Sequence, residues 1–197
     1  MFEGRISGEE LLELPLGQFD GEIVTVDTAG MAKSAARYLR NFQAIGFDTE
    51  TRPAFKKGES YKVALLQLAT NEKAFIIRIR KTGLPPAISE LLADPGVLKA
   101  GVAIRDDLKA LQKIQSFRPA GFIELQEKAR LIGINDYSLK KLCAILLGFR
   151  ISKSQQLSNW ESDQLTEQQL LYAATDAWVS LKIHEKLVQI AKDGTML

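Results

Sequence analysis

The chain changes its hydrophobic rhythm about two thirds of the way along. Before that point, short apolar runs alternate with helical stretches. "EIVTV" (22–26) has the period of two expected of a half-buried strand. "AIGFDTE" (44–50), "KVALLQLAT" (62–70), "KAFIIRI" (73–79) and "VLKAGVAI" (97–104) are strand-like, and "GFIEL" (121–125) fits a further short strand. The short "TNE" link between the third and fourth runs reads as a hairpin. "TAGMAKSAARYLRNF" (28–42), "PPAISELLAD" (85–94) and "DDLKALQKI" (106–114) read as helices. From about Gln126 onward the pattern is nearly all helical, with one loop at "GFRISKSQQLSNWESDQ" (148–164). A hairpin followed by strands alternating with helices predicts an α/β fold, a mixed sheet with helices packed on it. Residues 1–20 read as an irregular N-terminal arm and 21–197 as a single domain.

The last helix carries an anomaly. From Leu165 to Lys192 there is no Gly or Pro, and Thr166 with Gln169 three residues on fits a capping box. Tyr172, Asp176, Val179, Ile183, Leu187 and Ile190 fall within one arc of roughly 80°. Gln168, Thr175, Lys182, Lys186 and Gln189 gather on the other side. Asp176 therefore points at the core or into a cleft, where an unpartnered carboxylate is costly. Tyr172, one turn earlier, shares its face.

Bulk composition narrows the classes. With 197 residues, 46% hydrophobic and 25% charged, the chain is long enough to bury a sizeable core without staples. No apolar run is long enough to span a membrane. The opening "MFEGRISGEELLEL" is too acidic for a secretory leader, and Cys143 is the single cysteine, so cytoplasm is the expected compartment. Cys143, within "LKKLCAILLG", reads as a core thiol. A net charge of +2 is compatible with a nucleic-acid partner without demanding one.

The acidic residues supply the candidate chemistry. "FDTE" ends an apolar strand with Asp48 and Glu50 on one side of it. Asp107 follows the strand "AGVAI" at a helix start. Taken alone, a D-x-E is ordinary turn chemistry, Asp106 and Asp107 are ordinary helix caps, and Tyr172 with Asp176 is an ordinary core hydrogen bond. Converging, these four carboxylates need hard divalent cations with oxygen ligands, Mg²⁺ or Mn²⁺. Two such ions are suited to in-line attack on a phosphodiester.

The combination of "FDTE", "GVAIRDDLKAL" and "YAATDAW" resembles the DEDD exonucleases of the tyrosine subgroup, including ribonuclease D and Werner-type exonucleases. The likeness runs from about residue 22 to 190, and "KSQQLSNWESDQLTEQQLLYAATDA" is most similar to the Werner-type branch. The resemblance implies a ribonuclease H-like fold, a five-stranded mixed sheet flanked by helices. It implies a catalytic set of Asp48, Glu50, Asp107, Tyr172 and Asp176. Asp107 is preferred to Asp106 because the family aspartate lies six residues past the glycine, here Gly101. The four carboxylates would hold two divalent metal ions, Asp107 through water, and Tyr172 would orient the attacking water. The product would be a 5′-mononucleotide. His184, eight residues beyond Asp176, does not fit the histidine subgroup.

The expected partner is nucleic acid with a free 3′ end, DNA favoured by the Werner-type wording, with protein partners left open. Arg52, Phe55, Lys56, Lys57 and Tyr61 form a basic, aromatic loop after the catalytic strand, suited to phosphate contact and base stacking. Lys153 is a second candidate contact. Trp160 and Trp178 read as packing residues, and Arg78, Arg80 and Lys81 as a solvated edge. Two other functions stay open: an inactive nucleic-acid-binding scaffold of the same fold, and a metallohydrolase acting on non-polymeric phosphate esters.

Overall fold

The computed structural model describes residues 4–56 and 58–194. The chain runs α1 (Gly8–Glu13), β1 (Glu22–Val26), α2 (Ala29–Leu39), β2 (Ala44–Thr51), β3 (Val63–Ala69), β4 (Lys73–Arg78), α3 (Ile79–Thr82), α4 (Pro86–Leu92), β5 (Leu98–Gly101), α5 (Ile104–Gln112), β6 (Phe122–Glu124), α6 (Leu125–Leu131), α7 (Leu139–Leu147) and α8 (Glu167–Lys192). The fold is the α/β ribonuclease H-like one, but its mixed sheet has six strands, in the order β1-β4-β3-β2-β5-β6, not five. Every strand-like run forms a strand, and β1 extends the sheet by pairing parallel with β4. β3 and β4 form the predicted hairpin, with Thr70 N–H donating to Lys73 O at 2.8 Å. β2 pairs antiparallel with β3 and parallel with β5.

Both faces of the sheet are covered, which explains the fully buried β3. Leu39 of α2, Ile88 of α4 and Leu111 of α5 pack on one face. Ala173, Ala174 and Ala177 of α8 pack on the other. Small residues bring α8 against β2: a Cβ on Gly46 would overlap the carbonyl of Ala177. That approach sets Asp176 beside the acidic end of β2.

Residues 4–20 are stitched to the domain. Ser7 and Glu10 form a capping box on α1. Gly17 N–H donates to Arg150 O, and Arg150 N–H to Pro15 O, both at 2.9 Å. Phe19 is buried against Trp178, and its N–H donates to Thr175 Oγ1 at 3.1 Å. Thr175, read as polar and outward from its position on α8, is therefore buried under this segment. Cys143 is a buried thiol, donating to Phe149 O at 3.2 Å and pushed up to about 12 by burial.

Candidate active site

β2 delivers Asp48 and Glu50 to the same face, and α8 delivers Asp176 from above. One carboxylate oxygen from each of the three lies within 4.8 Å of the others. Thr49, between the first two in sequence, points to the opposite face of the pleat and donates its hydroxyl to Asp107 Oδ1. Asp107 thus stands beside the three-carboxylate group and outside it. Asp107 lies in the first turn of α5. The residue capping that helix, Ala103, has φ +56°, a conformation that L-residues rarely adopt. Glu124 at the end of β6 accepts the Ala103 N–H at 2.9 Å and the Ile104 N–H at 3.0 Å. Two bonds to one carboxylate hold the left-handed turn and so aim the start of α5.

The electrostatics are those of an anionic cluster without counter-charge. No lysine or arginine lies in salt-bridge range of Asp48, Glu50 or Asp176 among the described residues. Burial first, then the charges of Asp176 and Asp107, hold the Asp48 carboxyl well above its usual range. Burial and the Asp48 charge push Glu50 up to about 10. Burial raises Asp176 as well, opposed by the Tyr172 hydroxyl. The same burial and the neighbouring carboxylates push the Tyr172 hydroxyl far above the ordinary phenol range. Tyr172 is therefore a neutral hydroxyl at any physiological pH.

This donor set fits a hard divalent cation. It is all oxygen and anionic, and its members destabilise one another until a cation joins them. The sequence brings no histidine to it: His184 is half-buried further along α8, its pKa lowered chiefly by burial.

The predicted substrate-contact residues divide. Lys153 lines the cavity, about 250 Å³, that also holds Asp48, Tyr172 and Asp176. Arg52 and Tyr61 do not line it; the Arg52 guanidinium lies 4.8 Å from the Tyr61 ring centroid and 3.5 Å from Glu161. Phe55 is 77% exposed and Lys56 is exposed, both on the loop after β2. Lys57 lies outside the described residues. The solvated-edge reading of Arg78 is corrected: the side chain is buried, and its guanidinium donates to the carbonyls of Ser162 and Asp163. Arg80 remains exposed and pairs with Glu161 at 2.9 Å. Trp160 is fully buried, 5.8 Å from the Tyr172 ring, as a packing residue should be.

Three residues of the site were not read from the sequence. Gln67 faces Asp48 across the β2–β3 ladder, fully buried, and neither end of its amide has a hydrogen-bond partner. Its signal was a lone amide inside the apolar run "VALLQLA". Glu124 had no local signal, since its partners are two backbone N–H groups 20 and 21 residues away. Lys140 lines the same cavity as Asp48, hidden in the ordinary helix pattern "SLKKL".

Comparison with known proteins gives a consistent result. A family model described as 3′–5′ exonuclease matches residues 23–192. The Mus musculus bifunctional 3′–5′ exonuclease/ATP-dependent helicase WRN is 33% identical over 184 residues, covering 88% of this chain and 13% of that protein. The Homo sapiens exonuclease mut-7 homolog is 29% identical, covering 76% and 20%. The chain thus spans a small part of the length of these relatives. Among solved structures, the Aedes aegypti Nibbler EXO domain aligns with a TM-score of 0.79 at 25% identity, covering 90% of this chain and 94% of that one. Escherichia coli RNase D aligns with a TM-score of 0.77 at 25% identity, covering 90% and 47%.

Proposed function

Because this chain belongs to the 3′–5′ exonuclease family, we propose that it hydrolyses nucleic acid from a free 3′ end, releasing 5′-mononucleotides, and acts on DNA in preference to RNA. The observation that carries this reading is the uncompensated cluster of Asp48, Glu50 and Asp176, of which Asp48 and Asp176 line one cavity with Tyr172. Asp48, Glu50 and Asp176 would hold divalent metal, Mg²⁺ or Mn²⁺, with Asp107 beside them as a ligand through water. When bound, two such ions supply Lewis acidity to the phosphoryl group, a more acidic water and charge stabilisation for the leaving oxygen.

The chain's own residues do the positioning. Thr49 fixes the Asp107 carboxylate, and Glu124 fixes the turn from which it projects. Tyr172, held neutral, accepts and donates a hydrogen bond to orient the attacking water in line with the last phosphodiester. Burial and its anionic neighbours oppose its ionisation in the metal-free site, which suits an orienting role. Phe55, exposed on the loop after β2, would stack on a base of the substrate. The preference for DNA rests on the Werner-type wording of residues 153–177.

The test is a side-by-side digestion of 5′-labelled single-stranded DNA and RNA of one sequence, with Mg²⁺, with Mn²⁺ and with chelator. A ladder shortening from the 3′ end, faster on DNA and lost with chelator, is expected. Faster shortening of RNA would reverse the substrate preference. Cleavage that persists in chelator would overturn the metal-dependent reading.

A further inference from the structure

The cavity lined by Asp48 and Asp176 is also lined by side chains of the other sign. Asp48 comes to it from β2 and Tyr172 and Asp176 from α8; Lys140, near the start of α7, and Lys153, on the loop after α7, line the same cavity. Neither lysine has an ion-pair partner among the described residues. Their neighbours behave differently. Lys141 pairs with Asp136 at 2.9 Å, and the Arg150 guanidinium donates to Leu14 O at 3.1 Å. Lys140 is held below its usual range by burial and then by Lys153 and Arg150, so these cations repel one another.

Cations without a carboxylate partner, sharing a cavity with carboxylates without a cation partner, describe a site for two ligands of opposite charge. The carboxylates take divalent metal, and the lysines require an anion. On the proposed function, which this inference rests on, a backbone phosphate meets that need. An ammonium is a point charge without shape preference, so it holds phosphate of any base sequence. We infer that Lys140 and Lys153 form a phosphate subsite that grips the nucleic-acid backbone within one linkage of the scissile bond.

The test measures binding and turnover of a 5′-fluorescein single-stranded DNA by the wild type and by Lys140→Gln, Lys153→Gln, Lys140→Arg and Asp48→Asn. Binding is read by anisotropy in chelator over a salt series. Each Lys→Gln change should raise KM several-fold and leave kcat nearly unchanged. Each should also flatten the plot of log affinity against log salt by about 0.7, the value for one lost phosphate contact on a single strand. Lys140→Arg should restore both. A methylphosphonate next to the scissile bond should weaken binding to the wild type and add little to the loss in Lys140→Gln. Unchanged KM and salt slope in both Lys→Gln variants would overturn the subsite, as would loss only with a methylphosphonate several linkages away. Asp48→Asn tests the other reading separately: full activity in that variant would sink the assignment of catalysis to the acidic cluster and leave the binding data to decide the subsite.

Discussion

Thr49 and Asp107 are joined by a hydroxyl-to-carboxylate hydrogen bond across 58 residues of chain. Thr49 sits between Asp48 and Glu50 yet faces the other way, so one strand places two carboxylates directly and steadies a third through its reverse side. Supporting contacts of this kind around metal ligands typically change affinity or activity about 10–100-fold. Thr49→Val keeps the shape and removes the hydroxyl. It should lower kcat by about tenfold or more and raise the Mg²⁺ concentration for half-maximal rate, with little change in Tm. Initial rates over a Mg²⁺ series check this.

Tyr172→Phe removes only the hydroxyl that is proposed to orient the attacking water. Its kcat should fall by about 10²-fold or more, the scale of a positioned proton-transfer or hydrogen-bonding group, while KM stays close to the wild-type value. Because the hydroxyl stays protonated well past the ordinary phenol range, the wild-type rate should show no alkaline limb attributable to Tyr172. A pH–rate profile of both proteins distinguishes an orienting role from a basic one.

The acidic cluster makes stability depend on pH. Asp48, Glu50 and Asp176 have folded-state pKa values above their unfolded ones, by burial and by mutual repulsion. At low pH both states hold these protons. As pH rises past about 4, the unfolded chain releases them while the folded chain retains them. Stability from this source is therefore present below the unfolded pKa and lost as pH rises through the folded values. Metal-free protein should lose Tm between about pH 5 and pH 8, and Mg²⁺ should restore it at the upper end. Asp176→Asn should raise the Tm of metal-free protein at pH 8 while abolishing activity. For a chain of this size each kcal/mol relieved corresponds to about 2–4 °C. Thermal unfolding with and without chelator reads all three effects.

The left-handed Ala103 stores a local cost that Glu124 offsets. Ala103→Gly should stabilise by up to about 1 kcal/mol, since glycine adopts this φ without a Cβ clash. Glu124→Gln should destabilise and lower activity together, because it weakens two bonds to backbone N–H groups and frees the aspartate-bearing turn. Chemical denaturation and specific activity, compared for the pair, check the sign of each.

What the sequence showed and hid follows from the range of the interactions. The strands and α8 were legible because alternation, the 3.6-residue period and the Thr166–Gln169 box are local signals. Asp176 was legible because a charge in an apolar stripe contradicts its neighbours. The sixth strand followed from the same alternation, but only pairing with β4 assigned "EIVTV" to this sheet. Arg78 and Lys99 show the limit. Lys99 is fully buried, with its ammonium donating to the carbonyls of Leu91, Asp94 and Val97, and no local pattern marks a cation whose partners are carbonyls at a loop. Lys140 is similar: its neighbours across the cavity are 32 or more residues away in sequence or lie on another element.

Asp48, Glu50 and Asp176 are proposed to form one metal-dependent hydrolytic centre. The most direct measurement is single-turnover release of the terminal nucleotide from 3′-labelled DNA by the wild type, Asp48→Asn and Asp176→Asn, with Mg²⁺ and with chelator. The wild type should release a labelled 5′-mononucleotide in Mg²⁺ alone, and neither variant should release it although both remain folded. Release at the wild-type rate by either variant, or a labelled product longer than one nucleotide, would contradict it.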